Sequence, residues 1–300
     1  MHQTCVNTAK ADNSNGRLVF SKGLKRPNTS EMFGGLCLLS QESAANSFYH
    51  GLELGVKRRF ADGFQVQVSY TFSKAVSESA QVNGLYGNNN GGVAYYPEPH
   101  LLRSLAAFHV ANTFTASWVW QLPLGSDMDG AAGAILGGWQ LGGILRMADG
   151  PPHMITVGTP RGIRGLGYNG RSMPPDLGPA GSNSPVLGGP DNYFNSSYSR
   201  SSSGCASSGA AFCAPPKNTL GTMGRNTLIA PGLANLDASI TKNMQVGESA
   251  KVQFKVEFFN LLNRANFSRP NTRVDRSSGG RIDSTTMTER QIQLGLRLEF

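Results

Sequence analysis

Residues 291–300 read QIQLGLRLEF. Ile292, Leu294, Leu296, Leu298 and Phe300 are apolar, while Gln291, Gln293, Arg297 and Glu299 fall between them with Gly295. A repeat of two sends successive side chains to opposite faces of an extended chain, so the stretch reads as a strand with one apolar and one wet face. The pattern returns upstream. In KVQFKVEFF (251–259), Val252, Phe254, Val256 and Phe258 alternate with Lys251, Gln253, Lys255 and Glu257. In FQVQVSYTFS (64–73), Phe64, Val66, Val68, Tyr70 and Phe72 oppose Gln65, Gln67, Ser69 and Thr71. Before it, LELGVKRRF (52–60) sets Leu52, Leu54 and Val56 against Glu53, Gly55 and Lys57, and the intervening ADG reads as a hairpin turn. Weaker extended segments are NTFTASWVWQL (112–122), GGWQLGGILRMA (137–148), LANLDASITKN (233–243) and FGGLCLLS (33–40), and no segment carries a 3.6-residue apolar stripe.

The spacing of these strands carries as much information as the strands. From the C-terminus backwards, the connections are long (262–289), short (243–249), very long (150–232), medium (123–136), long (75–111) and short (61–63). If successive strands run antiparallel, the long loops all fall at one end and the shorter turns at the other. A soluble sandwich shows the same strand alternation but has no reason to segregate its loops, whereas outer-membrane barrels have short periplasmic turns and long extracellular loops. A barrel in lipid turns its apolar residues outward and tolerates a polar interior. Tyr70, Phe72, Trp118, Trp120, Trp139 and Phe300 lie at or near strand ends, where interfacial aromatic girdles belong.

Composition fits. Only 15% of the 300 residues are charged, glycine numbers 37 and the mean hydropathy is −0.26, a mixture that suits strands and loops better than amphipathic helices. The formal net charge is +8 and the pI about 9.5, without a Lys/Arg run or an arginine-rich helix, so nucleic acid is not an expected partner. No apolar run reaches the roughly 18–20 residues of a transmembrane helix, and Met1 does not open a signal peptide. Of the four cysteines, Cys205 and Cys213 lie in the polar loop SSSGCASSGAAFCAPP (201–216). They form a possible local disulfide, which implies an oxidising compartment.

Six blocks in order resemble the C-terminal barrel region of TonB-dependent receptor-like outer-membrane proteins. They are SFYHGLELGVKRRFADGFQVQVSYTFSKAV (47–76), WVWQLPLG (118–125), LGGWQLGGILRMADGPP (136–152), GTMGRNTLIAPGLANLDASITKN (221–243), VQFKVEFFNLLNRANF (252–267) and RQIQLGLRLEF (290–300). The similarity is narrower still to the Oar-like branch, whose N-terminal part carries a carboxypeptidase-regulatory-like β-sandwich. The resemblance implies an all-β, antiparallel transmembrane β-barrel in the cell outer membrane, here a C-terminal partial barrel of about seven or eight strands with long extracellular loops. Residues 1–46 would then be a loop-rich segment with one or two short strands, and residues 47–300 the barrel region. Barrels of this family have about 22 strands and a plug, so the resemblance implies that the plug and further strands belong to a longer polypeptide. It also implies that Leu294, Leu296, Leu298 and Phe300 are the signal read by the barrel assembly machinery. At FHVANTFTASW (108–118) the chain departs from the Asp-Val-Arg-His-like run of relatives, which leaves Asn112 without an assigned polar role.

The polar strand positions Glu53, Lys57, Gln65, Gln67, Arg146, Asp237, Lys255, Glu257, Gln293, Arg297 and Glu299 are the lumen-facing candidates. No catalytic, metal or cofactor-binding constellation is read. The five histidines are scattered, no HExxH or G-x-S-x-G occurs, and the glycine-rich RGIRGLGYNGR (161–171) has no strand–helix context for a phosphate cradle. NSSYSRSSSG (195–204) reads as a solvated low-complexity loop. Ligand capture is assigned to loops such as LYGNNNGGVAYYPEPH (85–100) and GPDNYFNSSYS (189–199). Arg103, Arg161, Arg164, Arg171, Arg200 and Arg225 are placed in outer loops as partners for lipopolysaccharide phosphates. The expected partners are therefore outer-membrane lipid and lipopolysaccharide, the assembly machinery, the missing plug and strands, and an unknown transported ligand. The expected function is ligand binding and uptake without catalysis. A free-standing structural barrel or adhesin and a secreted soluble β-sandwich are the alternatives.

Overall fold

The computed structural model describes residues 2–6, 36–40, 46–78, 103–125, 128, 130–158, 173–182, 185–200, 205, 209–216, 219, 221–246 and 250–300. Strands β1 (His2–Val6) and β2 (Leu36–Ser40) pair antiparallel with each other. They are followed by β3 (Ser47–Ala61), β4 (Phe64–Ser77), the short β5 (Ser104–Leu105) and β6 (Asn112–Gln121). Helix α1 (Gly130–Leu136) precedes β7 (Trp139–Ala148). Five two-residue strands come next: β8 (Pro152–His153), β9 (Asp176–Leu177), β10 (Tyr198–Ser199), β11 (Phe212–Cys213) and β12 (Leu228–Ile229). The chain ends with β13 (Leu233–Val246), β14 (Ala250–Phe259) and β15 (Gln291–Glu299).

The seven long strands form one sheet in the order β15-β14-β13-β7-β6-β4-β3, with β5 added beside β4. Each long strand pairs antiparallel with the next long strand along the chain, so the sheet is an up-and-down meander. Among the described residues the sheet stays open, with β3 and β15 at its two edges and exposed throughout. Local chemistry sets its turns. Asp62 and Gly63 have φ of 52° and 74°, the doubly left-handed geometry of a type I′ hairpin whose twist matches its flanking strands.

Register keeps a mainly polar and a mainly apolar face in phase over seven strands. Lys57 stands opposite Gln67, Gln67 opposite Ser117, Thr115 opposite Arg146, Arg146 opposite Asn235, Thr241 opposite Lys255, and Gln253 opposite Arg297. The other face carries Val56 on Val68, Val68 on Ala116, Leu145 on Leu236, Ile240 on Val256 and Val256 on Leu294. A slip of one residue would exchange the two faces of a strand and carry its polar side chains onto the apolar face, which is why pairing is so well specified. On that face Trp118 lies across its partner Gly143, where a Cβ would stand 2.2 Å from the indole Cζ2.

Residues 62–63, 122–138 and 247–249 connect strands at one end of the sheet, and residues 78–111, 149–232 and 260–290 at the other. The medium connection contains α1, which the sequence does not announce, since GAAGAIL is too short to display a helical stripe. The very long connection is also not purely antiparallel, because β10 pairs parallel with β11. The most buried apolar cluster lies outside the sheet, in the long connections. Ile155, Val157, Phe194, Phe212 and Leu228 are wholly excluded from solvent there, with Val274 and Ile282 of the 260–290 connection packed among them.

Candidate functional site

The sheet presents a polar wall, and the connections at its long-loop end build a folded cap. The register places Glu53, Lys57, Gln65, Gln67, Arg146, Asp237, Lys255, Glu257, Gln293, Arg297 and Glu299 on the one polar face. Leu294, Leu296 and Leu298 stand on the opposite, apolar face, exposed, with Phe300 beyond the last strand residue. Charges on the wall pair along their own strands. Lys255 Nζ lies 2.6 Å from Glu257 Oε1, and Arg297 Nη2 lies 2.8 Å from Glu299 Oε1. Asp237 Oδ1 accepts hydrogen bonds from Asn235 Nδ2 and from the Asn260 backbone N–H, each at 2.9 Å. The wall therefore offers mixed, locally compensated polarity and no single-sign field.

The cap covers part of this wall. Near the end of β4, polar-face Ser73, Ala75 and Ser77 are buried, whereas apolar-face Phe72 and Lys74 remain exposed. The Ser73 Oγ–H donates to Val110 O at 2.9 Å and the Ala75 N–H donates to His109 Nδ1 at 3.2 Å, fastening residues 106–111 against β4. That bond requires an unprotonated Nδ1. Burial, and then Lys74, lower the His109 pKa against the opposing pull of Asp149. The Asn226 amide donates to Leu105 O at 2.7 Å and ties the same segment to the very long connection.

The cap's two larger segments interlock. The Thr156 N–H donates to Thr272 O, the Val274 N–H to Thr156 O, the Tyr193 N–H to Gly280 O and the Ile282 N–H to Pro190 O. The Tyr193 hydroxyl reaches Ile229 O at 2.9 Å, and the Phe194 and Phe212 rings meet edge to face with centroids 6.3 Å apart. Cys205 and Cys213 are disulfide-bonded, closing the loop before β11. Arg273 and Asp275 pair at 2.8 Å, and the guanidinium holds the Asp275 carboxyl below its usual range. His153, on β8, has its pKa lowered to about 4 by burial and by the nearby Arg269.

An asparagine cluster locks the cap to the wall. Asn260 Oδ1 accepts from Arg264 N at 3.0 Å, while its Nδ2 donates to Arg264 O at 3.0 Å and Thr288 O at 3.1 Å. Asn263 Oδ1 accepts from Arg290 N, and Asn266 Oδ1 accepts from Ala234 N on β13. Asn260 and Asn263 both have positive φ, 50° and 48°, which asparagine tolerates better than most residues. The sequence already places most of NLLNRANF (260–267) in the long connection, but assigns its asparagines no role. Three asparagines within seven residues just after a strand were the available signal, since the type serves local turns and caps.

Other expectations need correction. GPDNYFNSSYS is not a free capture loop: Tyr193 and Phe194 are buried in the cap core because apolar contact outweighs their polar neighbours. The NSSY part of the low-complexity stretch is ordered by hydrogen bonds, with Ser197 N and Oγ donating to Asn195 Oδ1, and by pairing of β10 with β11. Arg225 is not a surface cation, its guanidinium being largely withdrawn from water. Arg103 lies 5.4 Å over the Phe48 ring, and Arg200 is exposed. Arg161, Arg164, Arg171 and the stretches 85–100 and 161–171 lie outside the described residues. Asn112 has a polar role after all. Its Oδ1 accepts from the Tyr70 hydroxyl at 2.7 Å and its Nδ2 donates to Asp149 Oδ2 at 2.5 Å. Among the described residues no three metal-ligating side chains cluster.

A meander with one polar and one apolar face, short turns at one end and an elaborate cap at the other is what a wall between lipid and an aqueous interior requires. No curated protein and no solved structure matches the chain. The model of the family described as "Outer membrane beta barrel domain" matches residues 5–293, and the chain belongs to this family, as a β-barrel protein of the outer membrane.

Proposed function

We propose that this chain supplies the C-terminal part of the barrel of a TonB-dependent receptor-like outer-membrane protein, one that binds a ligand at the cell surface and takes it up. The observation that carries the reading is the open sheet. Among the described residues β3 and β15 are exposed throughout their lengths, and because unpaired strand edges are not tolerated in lipid, this reading has further strands complete the wall. In this reading those strands and a plug belong to the same polypeptide. The polar wall contacts the plug and lines the route, and the cap forms part of the outer ligand surface. In the same reading Leu294, Leu296, Leu298 and Phe300 engage the assembly machinery, and the exposed Arg200 pairs with lipopolysaccharide phosphate. No residue is assigned a catalytic role.

The test is an antibody against the C-terminal strand, applied to the outer-membrane fraction of the native host. A band far above the 32.0 kDa of this chain, from a protein whose ligand uptake stops when the proton gradient is collapsed, supports the reading. A membrane band near 32 kDa contradicts it and favours a free-standing barrel.

A further inference from the structure

Lys242 occupies an apolar-face position of β13 near the short-turn end, yet its side chain is buried. Its ammonium donates to Ala134 O at 2.7 Å, Ile135 O at 2.9 Å and Gly137 O, and lies 5.2 Å from the centre of the Trp139 ring. The Trp139 Nε1–H also donates to Ile135 O, at 3.1 Å, and the Gly137 N–H donates to Gly133 O. The carbonyls of Gly133, Ala134 and Ile135 at the end of α1, and that of Gly137 just after it, are therefore satisfied by two apolar-face side chains and the chain itself. This placement hangs the helix end on the lipid side of the wall. Meanwhile α1 carries no charge, and Ile135 and Leu136 are exposed, as are Leu124 and Met128 before it.

We propose that α1, with the exposed Leu124 and Met128 before it, is an interfacial anchor embedded in phospholipid at the periplasmic leaflet, and that Lys242 is the residue that permits this. The occupant is lipid because the exposed apolar side chains continue the apolar belt of Trp120, Trp139, Leu141, Met244 and Val246. Unpaired helix-end carbonyls are costly next to acyl chains, and here Lys242 and Trp139 take them. Apolar side chains beside a capped helix end then lie at the headgroup boundary, as in other interfacial helices. The inference rests on the family's place in the outer membrane and is independent of uptake.

The experiment places the photo-crosslinker benzoyl-phenylalanine at Ile135 of the whole protein in its native outer membrane, with Leu141 and Gln140 as lipid-facing and lumen-facing controls. Expected are phospholipid adducts at 135 and 141 and none at 140. Protein adducts alone at 135, or no adduct there while 141 reacts, would overturn the anchor. Adding Lys242→Met should lower lipid adducts at 135 at least fivefold while 141 is unchanged. An unchanged yield at 135 overturns the role given to Lys242, and if Lys242→Met does not assemble, the 135 and 141 yields in the native background still decide the anchor.

Discussion

Asn260 is the joint that fastens the first turn of the 260–290 connection to its last residues, and Asn260→Ala is the sharpest single perturbation of it. The side chain is 3% exposed and makes three hydrogen bonds, one from Arg264 N and two to Arg264 O and Thr288 O. At roughly 0.5–1.5 kcal/mol each, their loss costs about 3 kcal/mol. Alanine must also adopt the φ of 50°, which adds about 1–2 kcal/mol. The total, about 4–5 kcal/mol, corresponds to a roughly thousand-fold increase in local opening. Hydrogen exchange of the 261–290 segment in the membrane-embedded protein reads it. Asn260→Gly separates the contributions, because glycine accepts the left-handed backbone and loses only the side-chain bonds, so it should exchange roughly tenfold more slowly than Asn260→Ala. Protection within about threefold of the native protein in both variants would refute the assignment of Asn260 as a joint.

The cap should be acid-labile. His153 titrates near 4 when folded and near 6.5 when unfolded, so its contribution is complete above about pH 6.5 and is lost as pH falls towards 4, by about 3 kcal/mol in all. Asp275, depressed by Arg273, adds a loss only below its usual carboxylate range. Proteolysis of the cap between pH 7 and 4 measures this, and His153→Phe should flatten the upper part of the profile. Cys213→Ser should cost the loop 205–213 about 2–3 kcal/mol by the chain-entropy model, seen as faster proteolytic nicking there while the sheet keeps its resistance to urea. Gly143→Ala should displace the Trp118 indole and destabilise the sheet by about 1–3 kcal/mol, read by urea unfolding in vesicles followed through tryptophan fluorescence.

What could be read from the sequence and what could not divide along physical lines. The wall was legible because each strand carries its own period of two, and lipid on one side makes that period strict over segments such as 251–258 and 292–300. Its first turn was legible too, since Asp62-Gly63 is a local signal. The cap was not, because contacts distant in the chain hold it: Ile155 and Val157 share a core with Val274 and Ile282, and Asn266 binds β13. A window of Ser, Asn and Gly therefore looked solvated although two aromatics, Tyr193 and Phe194, marked its buried part. Arg225 and Arg200 look alike in sequence, and only packing separates the withdrawn guanidinium from the exposed one. Lys242 did carry a signal, as a cation at an apolar register position of β13, where it must find a partner or a route to water.

The central claim is that the polar face looks inward to water and the apolar face outward to lipid. Spin labels placed singly at 251–259 in the membrane-embedded protein measure it through collision with oxygen, which partitions into lipid, and with a water-soluble nickel chelate. The account predicts oxygen access at 252, 254, 256 and 258 and nickel access at 251, 253, 255 and 257, in strict alternation. Lack of alternation, or apolar positions shielded from both reagents as in the core of a soluble sandwich, would contradict it.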